Sequence, residues 1–219
     1  EEKNLINILD EVEQSRIYYD IGYIAYLSGD FEKAIGNISK SADITENKVS
    51  KYISLCLVYR LRFLVYNEIE EFEELLKRAF DIFYLNRLKN PGAKRWVKNV
   101  YAHLFEVNYA KKNLLEMKKY FELLKSDDWM ASNQNIAKYS SFSPYEARIK
   151  IIEKDYKTAV DIFHGFIYEI ISDNDRKNKE SMARDYYDYL FALKEVDKKQ
   201  FIKEYKTAMD LPFSPGNHI

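Results

Sequence analysis

Three histidines, one cysteine and a short basic-aromatic cluster are the residues here whose types invite a chemical reading. His103, His164 and His218 stand more than 50 residues apart. None has a neighbour at metal-ligand spacing, so each reads as an ordinary structural histidine rather than a ligand or a general base. Cys56 lies in the apolar run Ile53 to Val58. A lone cysteine makes no intramolecular disulfide, and in such a run it reads as a small buried hydrophobe. The sequence contains no phosphate loop, no Gly-x-Ser-x-Gly elbow and no His-Glu-x-x-His pair. These readings lead to the expectation of a non-enzyme with no cofactor and no metal. The cluster Lys94-Arg95-Trp96-Val97-Lys98 has the composition that stacks a base and holds phosphates. It equally fits the start of a helix with an aromatic anchor, and that second reading is preferred. The acidic run Glu68 to Glu74 and the lysines from Lys111 to Lys119 read as solvated helix faces.

Whatever these residues do, the rest of the chain must position them, and its composition limits the means. With 219 residues and 47% hydrophobic content, the chain is long enough to bury a substantial core. Only 6 glycines and 4 prolines argue against a sandwich or barrel built on many tight turns. The 34 Lys+Arg and 35 Asp+Glu nearly cancel, so there is no global basic footprint for nucleic acid. Aromatic residues reach 16%, with 19 tyrosines that suit half-buried positions and adaptable binding surfaces alike. No run approaches the ~18 apolar residues of a membrane span, and no secretory leader is visible. A cytoplasmic address without a membrane partner is therefore expected. The first residue is Glu1 rather than Met, from which an upstream leader or domain is expected.

The strongest signal is internal repetition. Gly29-Asp30-Phe31-Glu32-Lys33-Ala34 matches Lys154-Asp155-Tyr156-Lys157-Thr158-Ala159 in type at most places, and weaker copies run through Phe72 and Leu114. The seam residues Phe31, Phe72, Leu114 and Tyr156 are 41, 42 and 42 apart. Apolar residues recur at helical spacing after each, as in Ala34, Ile38 and Ala42, or Ala159, Phe163 and Phe166. A looser fifth copy runs from Tyr186 to Met209, with Phe201 near the start of its second helix. Pro91-Gly92, Ser140 to Pro144 and Ser172 to Asp175 fall between units. Before them, Leu5, Ile8, Leu9 and Val12 form a helical stripe over 1–13. The tail 210–219, with Pro212 and Pro215, reads as irregular.

The segment Ile21 to Ala34, with Gly22 seven places before Gly29, then Phe31 and Ala34, resembles the core of a tetratricopeptide repeat. Gly22 and Ala34 would let two helices approach closely, and Gly29 would take the turn conformation other residues resist. The resemblance implies an all-α fold: a right-handed superhelix of about four to five antiparallel hairpins over 14–209. Its period near 42 exceeds the ~34 residues of the family, and only the first unit carries both glycines.

In such proteins the first helix of each hairpin lines a concave groove. That register, carried onto this sequence, gives Arg16, Tyr19, Tyr23 and Tyr26, then Arg60, Leu64 and Asn67. It continues with Asn99, Ala102, Glu106 and Tyr109, then Arg148, and last Tyr186 and Tyr189. An asparagine amide offers donor and acceptor to an extended peptide backbone, and an arginine fork suits a carboxylate. The Lys and Asn set of the family's carboxylate clamp is not reproduced in full. The tyrosines either line the groove or pack against a neighbouring hairpin. The resemblance thus implies a peptide- or protein-binding module, in its sharper form the sensor part of a bacterial peptide-responsive regulator. A scaffold or oligomerisation module is the alternative.

Overall fold

In a computed structural model of the chain, residues 9–126, 142–172 and 183–209 are described here. They form ten α-helices and no strand. These are α1 (Glu11–Leu27), α2 (Phe31–Ile44), α3 (Lys48–Tyr66), α4 (Ile69–Asn86) and α5 (Pro91–Ala110). The remainder are α6 (Leu114–Lys125), α7 (Ser143–Ile152), α8 (Tyr156–Ser172), α9 (Ala183–Val196) and α10 (Lys198–Met209). The all-α expectation holds over these residues. Connections of one to four residues join α1 through α6, α7 to α8 and α9 to α10; links this short favour packing of consecutive helices side by side. The expected tail over 210–219 lies outside the described residues, as do Leu5 and Ile8. The expected boundary at residue 13 falls inside α1, which runs unbroken from its Asp10 cap.

The helix ends explain why the sequence stops and restarts where it does. At Gly29, Lys112 and Lys154 the backbone turns left-handed, with φ of 80°, 56° and 63°. Each turn closes with the same pair of bonds: Asp30 N–H to the Ala25 carbonyl and Gly29 N–H to that of Tyr26, repeated at Asn113/Lys112 and at Asp155/Lys154. This double closure satisfies the carbonyls left over at a helix C-terminus. The same Asp30, Asn113 and Asp155 then cap the next helix, accepting from the N–H groups of Lys33, Glu116 and Thr158. One short segment therefore ends one helix and starts the next. The second turn departs from the sequence reading. Asn67 takes the left-handed position at φ 59°, α4 begins at Ile69, and Phe72 lies inside that helix. The left-handed residues 29, 67, 112 and 154 are thus 38, 45 and 42 apart, less even than the seam residues.

The chain divides into two compact units, one through His103 and one from Leu104 onward, with the division inside α5. In the first, α1 packs on α2, α2 on α3 and α3 on α4. The α1 and α2 backbones come close at Gly22, where a Cβ would overlap the Ile38 side chain and stand 3.0 Å from the Ala34 carbonyl oxygen. Ser15, Ser41 and Ser54 continue that seam as buried hydroxyls bonded to one another. Ala25, Ala34, Ile38, Leu57, Val58 and Leu61 form its core. In the second unit α7, α8 and α9 pack around Ala159, Phe163, Ile167, Tyr189 and Leu193, with α10 against α9.

Candidate functional site

In the first unit the buried side of α1 is made of small residues, Ser15, Gly22 and Ala25. Small residues draw the backbone close to α2, and the larger aromatic rings are left at the flank. Tyr19 and Tyr23 stack with centroids 6.4 Å apart and planes within 5°; Tyr26 follows at 6.0 Å and Phe31 at 6.4 Å beyond it. Tyr19 and Tyr26 pack against the core shared with α3. Tyr23, between them, is 43% exposed. The ladder therefore both packs and presents: its ends are anchored and its middle ring is open. Burial, and secondarily Tyr23 and Asp20, raises the Tyr19 phenol above its ordinary range, so it remains a neutral hydroxyl. Arg16 is exposed, two turns before Tyr23. On α3, Arg60 and Leu64 are half-buried and Asn67 is exposed at the C-terminal turn; on α5, Asn99 and Ala102 are half-buried. A shallow pocket of about 190 Å³ lies at the α1–α2 turn, lined by Ile21, Ile24, Ala25, Ser28, Asp30 and Lys33. It is smaller than the ~300 Å³ at which small-molecule sites begin.

The second unit holds a different arrangement. Arg148 is 4% exposed. Its Nε donates to Asp188 at 2.6 Å and its Nη2 to Asp185 at 2.7 Å. The Tyr109 hydroxyl donates to the other oxygen of Asp188 at 3.0 Å, and Arg184 pairs with Glu106 at 3.2 Å. Burial is the largest influence on these groups. It raises the Asp185 carboxyl above its usual range against the pull of Arg148, and it raises the Tyr109 phenol, with Asp188 adding to the effect. Arg148 stays charged, because the carboxylates beside it outweigh its own desolvation.

Three of the fourteen groove residues expected from sequence, Glu106, Tyr109 and Arg148, are thus brought together, but inside the second unit and around its own acids. The expected role of Arg148 as a clamp for an external carboxylate gives way to an internal one, since buried charges are stable only when paired. Tyr186 and Tyr189 are buried as well, Tyr186 donating to the buried Glu204 at 3.2 Å; they are core residues rather than groove lining. Sequence reading missed Arg184, Asp185, Asp188 and Glu204. The signal was present: Asp188 shares a helix face with the core residue Ala192, one turn on, and an acid on a buried face calls for a buried cation.

Of the residues considered for catalysis, His218 lies outside the described residues. Cys56 is buried, and burial pushes its thiol up to about 12, an inert form. His103 packs on Phe72 at 5.7 Å and His164 on Tyr168 at 4.3 Å. Among the described residues no group of His, Cys, Asp and Glu is placed to hold a metal ion, and no helix is long and apolar enough to cross a membrane. Trp96 packs on Phe83 at 5.8 Å, as a helix anchor would. No protein-family model, curated protein or solved structure matches the chain.

Proposed function

We propose that this chain is a non-catalytic binding module of tetratricopeptide-like hairpins, stacked as a right-handed superhelix with a period near 42 residues, that takes a peptide or protein segment. Supporting the repeat reading are the three identical turn-and-cap segments at Gly29, Lys112 and Lys154 and the helix-to-next-helix packing. The observation that carries the binding reading is the Tyr19–Tyr23–Tyr26 ladder. Its outer rings are fixed by the core while Tyr23 and Arg16 stand open on one helix face. A rigid aromatic with a hydroxyl tip loses little entropy on binding, and an arginine beside it supplies charge-assisted donors for a carboxylate. The ligand class is therefore a peptide with an apolar side chain and an acidic group or C-terminus. In the sharper form the chain is the regulatory, sensing part of a larger cytoplasmic bacterial protein.

Selection of a random peptide library on the purified chain, with Tyr23→Ala and Arg16→Ala as counter-targets, tests this. Peptides that bind the native chain and lose affinity for both variants are expected; a library that yields no binder, or binders indifferent to both changes, overturns the reading. A second reading, a scaffold or oligomerisation module, is favoured by the exposed Val12, Ile24 and Leu27 on the same helix. It predicts a mass that rises with concentration in sedimentation.

A further inference from the structure

We infer that the α4–α5 turn docks the protein on an anionic lipid surface. Leu88 is 89% exposed, the most exposed large hydrophobic side chain among the described residues, and Leu85 is 77% exposed. Single exposed leucines are ordinary. These two are three residues apart on a continuing helical turn, where Asn90 N–H still bonds to the Asn86 carbonyl, so they emerge on one side. Tyr84, 44% exposed, precedes them. Together they form an exposed apolar tip at the turn between two helices.

From Leu85 onward into α5 the charged side chains around that tip are all basic. Between Asp81 and Glu106 the sequence has no acidic residue and five basic ones, in a chain whose net charge is -1. Arg87 lies over the Tyr84 ring at 3.4 Å, which holds it beside the leucines. Lys89, Lys94 and Arg95 are exposed around the same turn. Acids crowd the start of α4, from Glu68 to Glu74, more than two helical turns before the tip. A few apolar side chains ringed by lysine and arginine are what a peripheral site on a charged bilayer requires. The cations are drawn to the negative surface and the leucines enter the acyl boundary, neither being sufficient alone.

Two other partners fit less well. A single-stranded nucleic acid would need open aromatic rings to stack on, but Trp96 is half-buried against Phe83, and leucines do not stack on bases. A protein partner would need a pocket or groove for Leu85 and Leu88, and nothing in the tip specifies one. The expectation that the chain has no membrane partner came from the lack of a spanning segment, and surface docking needs none. The inference rests on the α4–α5 turn and is independent of the tyrosine ladder.

The test is flotation of the full chain with vesicles of phosphatidylcholine alone and of phosphatidylcholine mixed equally with phosphatidylglycerol, beside a single-stranded oligonucleotide titration. Binding to the anionic vesicles only, falling as salt rises, is expected. L85S/L88S should weaken it at least tenfold, since each leucine carries roughly a tenfold factor. K89Q/K94Q should weaken it more than tenfold, at roughly five-fold per charge. All four side chains are exposed, so circular dichroism should show both variants folded. No binding to anionic vesicles, or binding unaltered in both variants, overturns the inference. Oligonucleotide binding that survives L85S/L88S while vesicle binding is absent overturns it in favour of nucleic acid.

Discussion

Replacing Asp188 by alanine should cost the second unit about 3–5 kcal/mol, the range found when one partner of a buried ion pair is removed. The structure shows why the upper half of that range is reachable. Asp188 holds two donors on separate helices, Arg148 Nε of α7 at 2.6 Å and the Tyr109 hydroxyl of α5 at 3.0 Å. Its loss leaves a guanidinium hydrogen-bonded to Asp185 but not to Asp188 and a phenol without its acceptor, each a polar group short of a partner. Against a typical domain stability of ~5–15 kcal/mol, that loss is large enough to unfold the unit at modest urea. Asp188→Asn keeps the shape and an acceptor oxygen and should cost less, about 1.5–3 kcal/mol for charged hydrogen bonds. The informative variant is the triple change Arg148→Met, Asp185→Leu and Asp188→Leu, which removes the guanidinium together with both carboxylates it pairs with. Because desolvation offsets much of their attraction, the triple variant should recover most of what Asp188→Ala loses. Urea unfolding followed by tyrosine fluorescence and far-ultraviolet dichroism measures all three variants. The reasoning is refuted if Asp188→Ala costs less than ~1 kcal/mol, like the exposed Lys119–Glu116 pair, or if the triple variant is less stable than Asp188→Ala.

The remaining predictions concern other levels of the fold. Gly22→Ala should destabilise by ~1–2 kcal/mol, overpacking against Ile38 and the Ala34 carbonyl outweighing the helix preference for alanine. Gly36→Ala, where a Cβ meets nothing within 4 Å, should stabilise by ~0.5–1 kcal/mol, and opposite shifts in urea midpoint check the pair. Lys154→Gly should stabilise by about 1 kcal/mol, because it relieves a left-handed lysine at φ 63°; a lower melting temperature would contradict this. The Asp185 carboxyl should titrate above its ordinary 3.8 by carbon-13 shift. The folded state then binds the extra proton, so this residue's contribution to stability is fully present below 3.8 and is lost as pH rises through its higher native value; a titration midpoint below 3.8 would contradict it.

The helices were legible because their apolar residues keep helical spacing, and two of the turns because Asp30 and Asp155 are capping residues placed before an aromatic. The turn at Asn67 was harder to place. Phe72 resembles a seam residue in type, and one helical turn of displacement hardly alters an apolar pattern, whereas the asparagine that takes the left-handed position carries no aromatic after it. The tyrosine ladder could be read from the spacing of Tyr19, Tyr23 and Tyr26. Its split into anchored and open rings could not, because that depends on where α3 lies. The groove register assigns a side by position in a hairpin. It failed at Arg148 because it knows nothing of Asp185 and Asp188, 37 and 40 residues further on, and at Tyr186 and Tyr189 because the core of the second unit buries them. Long-range charge pairing of this kind leaves only a weak local trace, an acid set on a buried face.

The central claim, that the open tyrosine face receives a peptide, is tested most directly by backbone amide shifts of the labelled chain with a library-selected peptide added. The account predicts saturable shifts concentrated in Arg16 to Leu27 of α1 and Arg60 to Asn67 of α3, abolished by Tyr23→Ala. Shifts confined to other helices, or unchanged by that substitution, would contradict it.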